Sequence, residues 1–247
     1  MLRTPLFRLL VLFFLGSLLL ACSSKGGTKD PYQDQSAETI YNKATVALKK
    51  AQYSRAVEAY ESLDAQYPFG DYTEKAHLDI IYAYYRFNEL PAAMRAADRY
   101  IRLHPRSPNL DYVYYMRGLI KSTEGISFAA RYLPLDLTKR DSNNEKEAFN
   151  YFQELLTLYP DSPYSPDARQ RLIAMRNHLA QEQLNVAEFY MRRGAYLAAA
   201  NRAQGVVENF PQTPAVNKSL VLMVDAYEKL GMPEFAEEAR KVLAANG

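Results

Sequence analysis

The chain has 247 residues, 48% of them apolar, with 30 basic and 28 acidic side chains, 20 tyrosines, no tryptophan and one cysteine. Arg3 and Arg8 carry the whole basic excess, so the chain beyond residue 21 is neutral. That excludes a binder of nucleic-acid backbones, which needs a basic face, and a single cysteine excludes an internal disulfide.

In chain order, Arg3 and Arg8 form a short basic head and Leu9 to Leu20 is almost wholly apolar. Such a run falls short of the roughly 20 residues that cross a bilayer, so residues 1–21 read as a signal peptide. Leu19-Leu20-Ala21-Cys22 resembles the bacterial lipoprotein box, in which the cysteine is acylated and becomes the first residue after cleavage. The expected modification is an N-palmitoyl and S-diacylglycerol group on Cys22, with no other cofactor. Ser23 and Ser24 follow where an aspartate would imply retention at the inner membrane, so the resemblance implies the outer membrane, periplasmic face. Residues 22–36 are polar, contain Gly26-Gly27 and lack periodicity. They read as a flexible tether able to stretch to ~50 Å.

From Ala37 the apolar residues recur with helical period. Tyr67-Pro68, His104-Pro105, Tyr159-Pro160 and Phe210-Pro211 each end an amphipathic stretch, because proline cannot continue a helix. Twelve residues before these prolines stand Ala56, Ala93, Ala148 and Ala199; eight before stand Tyr60, Ala97, Phe152 and Ala203. A small residue lets two helices approach, and the residue one turn later fills the gap. This is the pattern of the tetratricopeptide repeat, a pair of antiparallel helices of about 34 residues.

The prolines lie 37, 55 and 51 residues apart, so the third and fourth repeats carry insertions. The first falls between Lys121 and Asn144, ending in a 136–144 loop. The second is an extended first helix from Ser165 to about Arg193. A fifth pair covers 213–230 and 233–245, with Thr213 as N-cap, Pro214 at the first helical position and Gly231 in the turn. The expected fold is all-α: a right-handed α-solenoid of about five tetratricopeptide-like helix pairs. Residues 37–164 hold repeats 1–3, with the insert at 121–144, and 165–247 hold repeats 4–5.

Solenoids of this kind offer an extended concave face lined by the first helix of each pair. Those helices supply Tyr41, Tyr82, Tyr85, Tyr112 and Tyr115, with Arg86 nearby. A tyrosine-lined groove suits an extended peptide; any single tyrosine taken alone better suits packing between helices, and the set together implies some exposure in the groove. Catalytic patterns are missing. His77, His104 and His178 sit in separate helices or turns, without HExxH, a nucleophile elbow or a phosphate-cradling loop. The reading is a binding scaffold, not an enzyme.

Several strings go further. They are Tyr67-Pro68-Phe69-Gly70-Asp71-Tyr72, Leu78 to Tyr85, Asp98 to Pro105, Pro108 to Leu119, Val186 to Tyr190, Arg193-Gly194-Ala195-Tyr196 and Asn201-Arg202. In this order they resemble the BamD/competence lipoprotein family, the repeat lipoproteins of the outer-membrane β-barrel assembly machine. The resemblance runs from the lipoprotein box to the last helix pair; the 136–141 string matches only in part. It implies assembly and insertion of β-barrel proteins into the outer membrane. The C-terminal repeats would dock on the periplasmic domain of BamA, and other lipoproteins, notably BamC, would lie along the repeats. The N-terminal repeats would receive the aromatic-ended C-terminal signal of unfolded clients. Carried onto this sequence, the docking candidates are Arg202, Asn201 and Arg193, and the client groove is assigned to Tyr67, Tyr82, Tyr85 and Arg102. Tyr67 also suits packing of the repeat-ending turn. The alternative function is a repeat lipoprotein that docks or activates a peptidoglycan enzyme.

Overall fold

The computed structural model describes residues 30–124 and 142–246. Within them the chain forms ten helices and no strand: α1 (Ala37–Lys49), α2 (Tyr53–Gln66), α3 (Asp71–Phe87), α4 (Leu90–Leu103), α5 (Leu110–Thr123), α6 (Ser142–Leu158), α7 (Ser165–Arg192), α8 (Tyr196–Asn209), α9 (Ala215–Lys229) and α10 (Pro233–Ala245). Consecutive helices pack as neighbours, and the first helices of successive pairs also touch, α1 with α3, α3 with α5 and α7 with α9. The result is an α-solenoid of five helix pairs. No helix of the described residues is long and apolar enough to cross a membrane.

The repeat register read from the sequence is the register of the core. Ala56, Ala93, Ala148 and Ala199 are wholly buried, and Tyr60, Ala97, Phe152 and Ala203 are at most 1% exposed. Burial of a ring such as Phe152 contributes roughly 2–3 kcal/mol. The turns that follow are fastened by short hydroxyl side chains. Thr73 Oγ1 donates to the Tyr67 carbonyl at 2.5 Å and Ser165 Oγ to the Tyr159 carbonyl at 2.9 Å, the same six-residue step in two repeats. Ser36 caps α1 by accepting from the Thr39 N–H, and Asn88 ends α3 in the left-handed conformation, returning its N–H to Tyr84 and Tyr85.

Three expectations are corrected. Residues 30–36, assigned to the tether on sequence, are fixed to the body, and residues 22–29 lie outside the described residues. Asp30 Oδ2 accepts from Ser62 Oγ at 2.5 Å and Gln66 Nε2 at 3.1 Å, and Tyr67 donates its hydroxyl to the Gln35 carbonyl at 2.8 Å. Thr213 does not cap α9 with its side chain. Its hydroxyl donates backward to the Phe210 carbonyl at 2.9 Å, and Pro214 occupies the cap position. Finally, residues 142–144 belong to α6, so the expected 136–144 loop is over by residue 141; its remainder lies outside the described residues. The extended first helix of the fourth repeat ends at Arg192, one residue from the expected point.

Candidate functional site

Two surfaces carry unusual side-chain chemistry, one on each half of the solenoid. On the N-terminal half, α1, α3 and α5 bring Tyr41, Tyr82, Tyr85, Tyr112 and Tyr115 to half-buried positions. At its centre is Asp79, a carboxylate with no cationic partner among the described residues. Its Oδ2 accepts from Tyr41 at 2.8 Å and from Tyr60 at 3.3 Å. Burial raises the Asp79 carboxyl above its ordinary value, and the two phenol hydrogen bonds only partly oppose this. Burial likewise pushes the Tyr41 hydroxyl up to about 12, helped by its bond to Asp79. Tyr112 is raised for the same first reason, with Asp79 and then Tyr164 adding negative potential.

The rings continue toward the fourth repeat. Tyr112 meets Tyr164 at 5.6 Å, and Tyr115 stacks on Tyr164 at 4.9 Å with an interplanar angle of 18°. Tyr115 also donates to Asp167 Oδ2 at 2.7 Å, which binds α5 to the first turn of α7. Arg86 donates to the Tyr82 hydroxyl at 2.5 Å and lies 4.9 Å over the Tyr53 ring. Tyr85 faces α5 through a 3.3 Å contact with Thr123 Oγ1. This is an aromatic wall with hydroxyl groups at its edge and the cations Arg86 and Arg171 at its margin, suited to an extended chain.

The four groove residues named from sequence are not brought together. Tyr82 and Tyr85 share α3, one turn apart. Tyr67 packs the repeat-ending turn at the cap of α2, its hydroxyl committed to Gln35. Arg102 is exposed on α4, the second helix of its pair. Antiparallel to α3, it stands about 10 Å along the axis from Tyr82.

On the C-terminal half a shallow groove of about 270 Å³ runs between α6, α7 and α8, lined by Lys146, Gln183, Asn201, Arg202, Asn209 and Phe210 among others. Arg202 is exposed and donates to Gln183 Oε1 at 3.2 Å, leaving most of its five donors open. Asn201 lies beside it. Arg193 does not join them: it caps the end of α7 with its guanidinium 5.2 Å over Phe189, about 15 Å along the helix from Gln183. Among the described residues the groove is lined by cations and amides without a carboxylate, so it fits a partner's carboxylates and carbonyls.

The structure also joins two histidines that the sequence separated. His77 Nε2 meets Asp64 Oδ1 at 2.7 Å, and His77 Nδ1 meets His104 Nε2 at 3.1 Å. Arg99 grips Asp64 in a fork at 2.6 and 3.0 Å. Burial would raise the Asp64 carboxyl, but the bonds from Arg99 and His77 outweigh it and hold the group below its ordinary value. Burial lowers His104, against the pull of Glu74. The cluster walls a cleft of about 370 Å³ between α2, α3 and α4. Among the described residues, no group of three or more histidine, cysteine, aspartate or glutamate side chains could hold a metal ion.

Asp79 was missed at the sequence level although it left a signal, a lone carboxylate inside the apolar run Leu78 to Tyr82. The histidine contact left none, since 27 residues separate its partners.

A family model described as "YfiO: Outer membrane lipoprotein" matches residues 33–243. The outer membrane protein assembly factor BamD of Neisseria meningitidis serogroup A is 39% identical over 242 residues, covering 97% of this chain and 91% of that protein. The protein of the same name from Vibrio cholerae is 38% identical over 230 residues, covering 93% and 94%. The Haemophilus influenzae protein is 35% identical over 237 residues, covering 96% and 89%. Solved structures with similar chains include a tetratricopeptide repeat protein from Parabacteroides merdae, with a TM-score of 0.40, 12% identity and coverage of 85% of this chain and 80% of that one. A putative protein binding protein from Bacteroides ovatus has a TM-score of 0.41, 13% identity and coverage of 83% and 100%.

Proposed function

The chain belongs to the YfiO family of outer membrane lipoproteins, the family of the outer membrane protein assembly factor BamD, and from that premise we propose how its two surfaces serve outer membrane protein assembly. It is a scaffold and not an enzyme. The observation that carries the reading is the separation of two chemically distinct surfaces on one solenoid, the tyrosine wall of α1, α3 and α5 and the Arg202 groove of α6–α8. Acylated at Cys22, the body hangs on the periplasmic face of the outer membrane. The groove around Arg202 and Asn201 docks the periplasmic domain of BamA, with BamC along the repeats. The tyrosine wall, centred on Tyr82 and Tyr85, takes the aromatic-ended C-terminal segments of unfolded clients. Tyr67 supports this wall indirectly, by fixing the turn through Gln35.

The reading in which the chain docks a peptidoglycan enzyme is not supported by the family match and is set aside. The test is affinity capture of the native chain from detergent-solubilised outer membrane. Recovery of BamA as the main partner supports the proposal, and recovery of a peptidoglycan enzyme in its place overturns it.

A further inference from the structure

The turn between α2 and α3 displays Phe69 with 91% of its surface exposed, more than any other large apolar side chain among the described residues. The position directly after the turn proline is Arg106, Asp161 and Gln212 in the next three repeats, so an apolar ring stands there in the first repeat alone. The turn is held firmly. The Tyr67 hydroxyl is bonded to Gln35, the Tyr67 carbonyl accepts from Thr73, and Gly70 adopts φ 126°, a conformation that side chains disfavour. The ring is therefore presented to solvent by an ordered frame.

What covers it follows from where the chain leaves the body. Asp30, the first described residue, is hydrogen-bonded to Ser62 and Gln66, and Gln66 is three residues from Phe69. Eight residues separate Cys22 from Asp30, a reach of at most ~30 Å. The exposed ring and the exit of the anchor thus share one end of the solenoid. We propose that Phe69 is a membrane-contact residue, inserting its ring into the phospholipid surface to which Cys22 fastens the chain. This rests on the lipid-anchor reading given above. Lys75 is drawn to the Tyr72 ring at 5.4 Å, the carboxylate Asp71 lies two residues beyond Phe69, and Asp30 is held at Ser62 and Gln66 on α2. Among the described residues no lysine or arginine is paired beside the ring for an anionic headgroup, so the contact that Phe69 itself makes is apolar, and salt does not screen it. Its effect is orientation. The lipid holds the chain at the surface, and the ring adds a second point that limits how the solenoid swings about its tether.

The chain has no tryptophan, so Phe69→Trp introduces a single intrinsic reporter, with Val242→Trp on the exposed face of α10 as its counterpart. Each full-length acylated chain is reconstituted into phosphatidylethanolamine–phosphatidylglycerol vesicles, with and without nitroxide-bearing lipid. The expected result is blue-shifted emission and loss of most intensity to the nitroxide for Phe69→Trp, unchanged in high salt, and neither effect for Val242→Trp. Vesicle flotation of the same samples separates the two readings. A chain that fails to float overturns the anchor, whereas a floating chain with an unquenched reporter at position 69 overturns the membrane contact alone. A blue shift induced by client peptide in the absence of lipid assigns the ring to a protein partner and also overturns it.

Discussion

The ring of Phe152 occupies the space where a side chain on Gly118 would begin: a Cβ there would stand 2.5 Å from Phe152 Cε1. Phe152 is wholly buried and belongs to the repeat register, so it has nowhere to retreat. Gly118→Ala gains about 1 kcal/mol of helix propensity but forces apart α5 and α6 at a typical overpacking cost of about 1–3 kcal/mol. The expected outcome is a net loss of stability in urea unfolding. A variant as stable as the parent would show that the two helices can part without cost.

Arg202 projects from α8 with one hydrogen bond to Gln183 and no ion pair among the described residues. Arg202→Glu should leave helicity intact and unfolding within about 0.5 kcal/mol of the parent, as for most surface substitutions. Copurification with BamA should fall sharply, because the partner's carboxylates would meet a like charge. Arg193→Glu, outside the groove, should fall less. Equal losses from both substitutions would remove the groove as the docking site.

Photo-cross-linkers at Tyr82 or Tyr85 should capture peptides that end in a client signal in preference to scrambled peptides. The same group at Arg102, on the other row of helices and about 10 Å along the axis, should capture little. Labelling by the scrambled peptide at the same level would reject the tyrosine wall as the receptor.

Asp79 gives a pH signature. Its folded-state carboxyl is raised by burial above the ordinary 3.8. A raised acid binds its proton more tightly in the folded chain, so its favourable contribution is complete below pH 3.8 and is lost as pH rises through the folded value. Asp79→Asn keeps an acceptor for Tyr41 and removes the buried charge. Its stability relative to the parent should therefore be greatest near pH 7 and shrink as pH falls toward 4, as followed by urea unfolding at each pH. A difference that does not change with pH would show that burial of this carboxylate costs nothing.

The eight register positions from Ala56 to Ala203 were legible because helical period and the turn prolines record which face of each helix is buried. What period does not record is which neighbour a half-buried side chain meets. Tyr41 and Asp79 are 38 residues apart, and His77 and His104 are 27 apart; both contacts depend on how pairs stack. Tyr67 and Arg102 fail to join Tyr82 for the same reason, since nearness to a repeat boundary says nothing about inner or outer row. Residues 30–36 read as part of the tether because Asp30 and Gln35 look like loop residues until Ser62, Gln66 and Tyr67 are placed against them. Thr213 shows the limit of cap signals: a hydroxyl has two directions in which to bond, and here the carbonyl of Phe210 wins.

The helix α7 is unbroken for 28 residues, roughly 42 Å, and is fastened at its start by Tyr115 to Asp167 and packed along its length against α6, α8 and α9. An unbroken helix converts residue count into angle. Deleting one residue between Ile173 and Leu179 would shorten the rod by only about 1.5 Å but turn everything beyond it by about 100°. The Arg202 groove would come apart, because Lys146 on α6 lies before the deletion and Gln183 and Arg202 lie beyond it. The angle between the tyrosine wall and the Arg202 side of α8 is therefore set by the number of residues in α7.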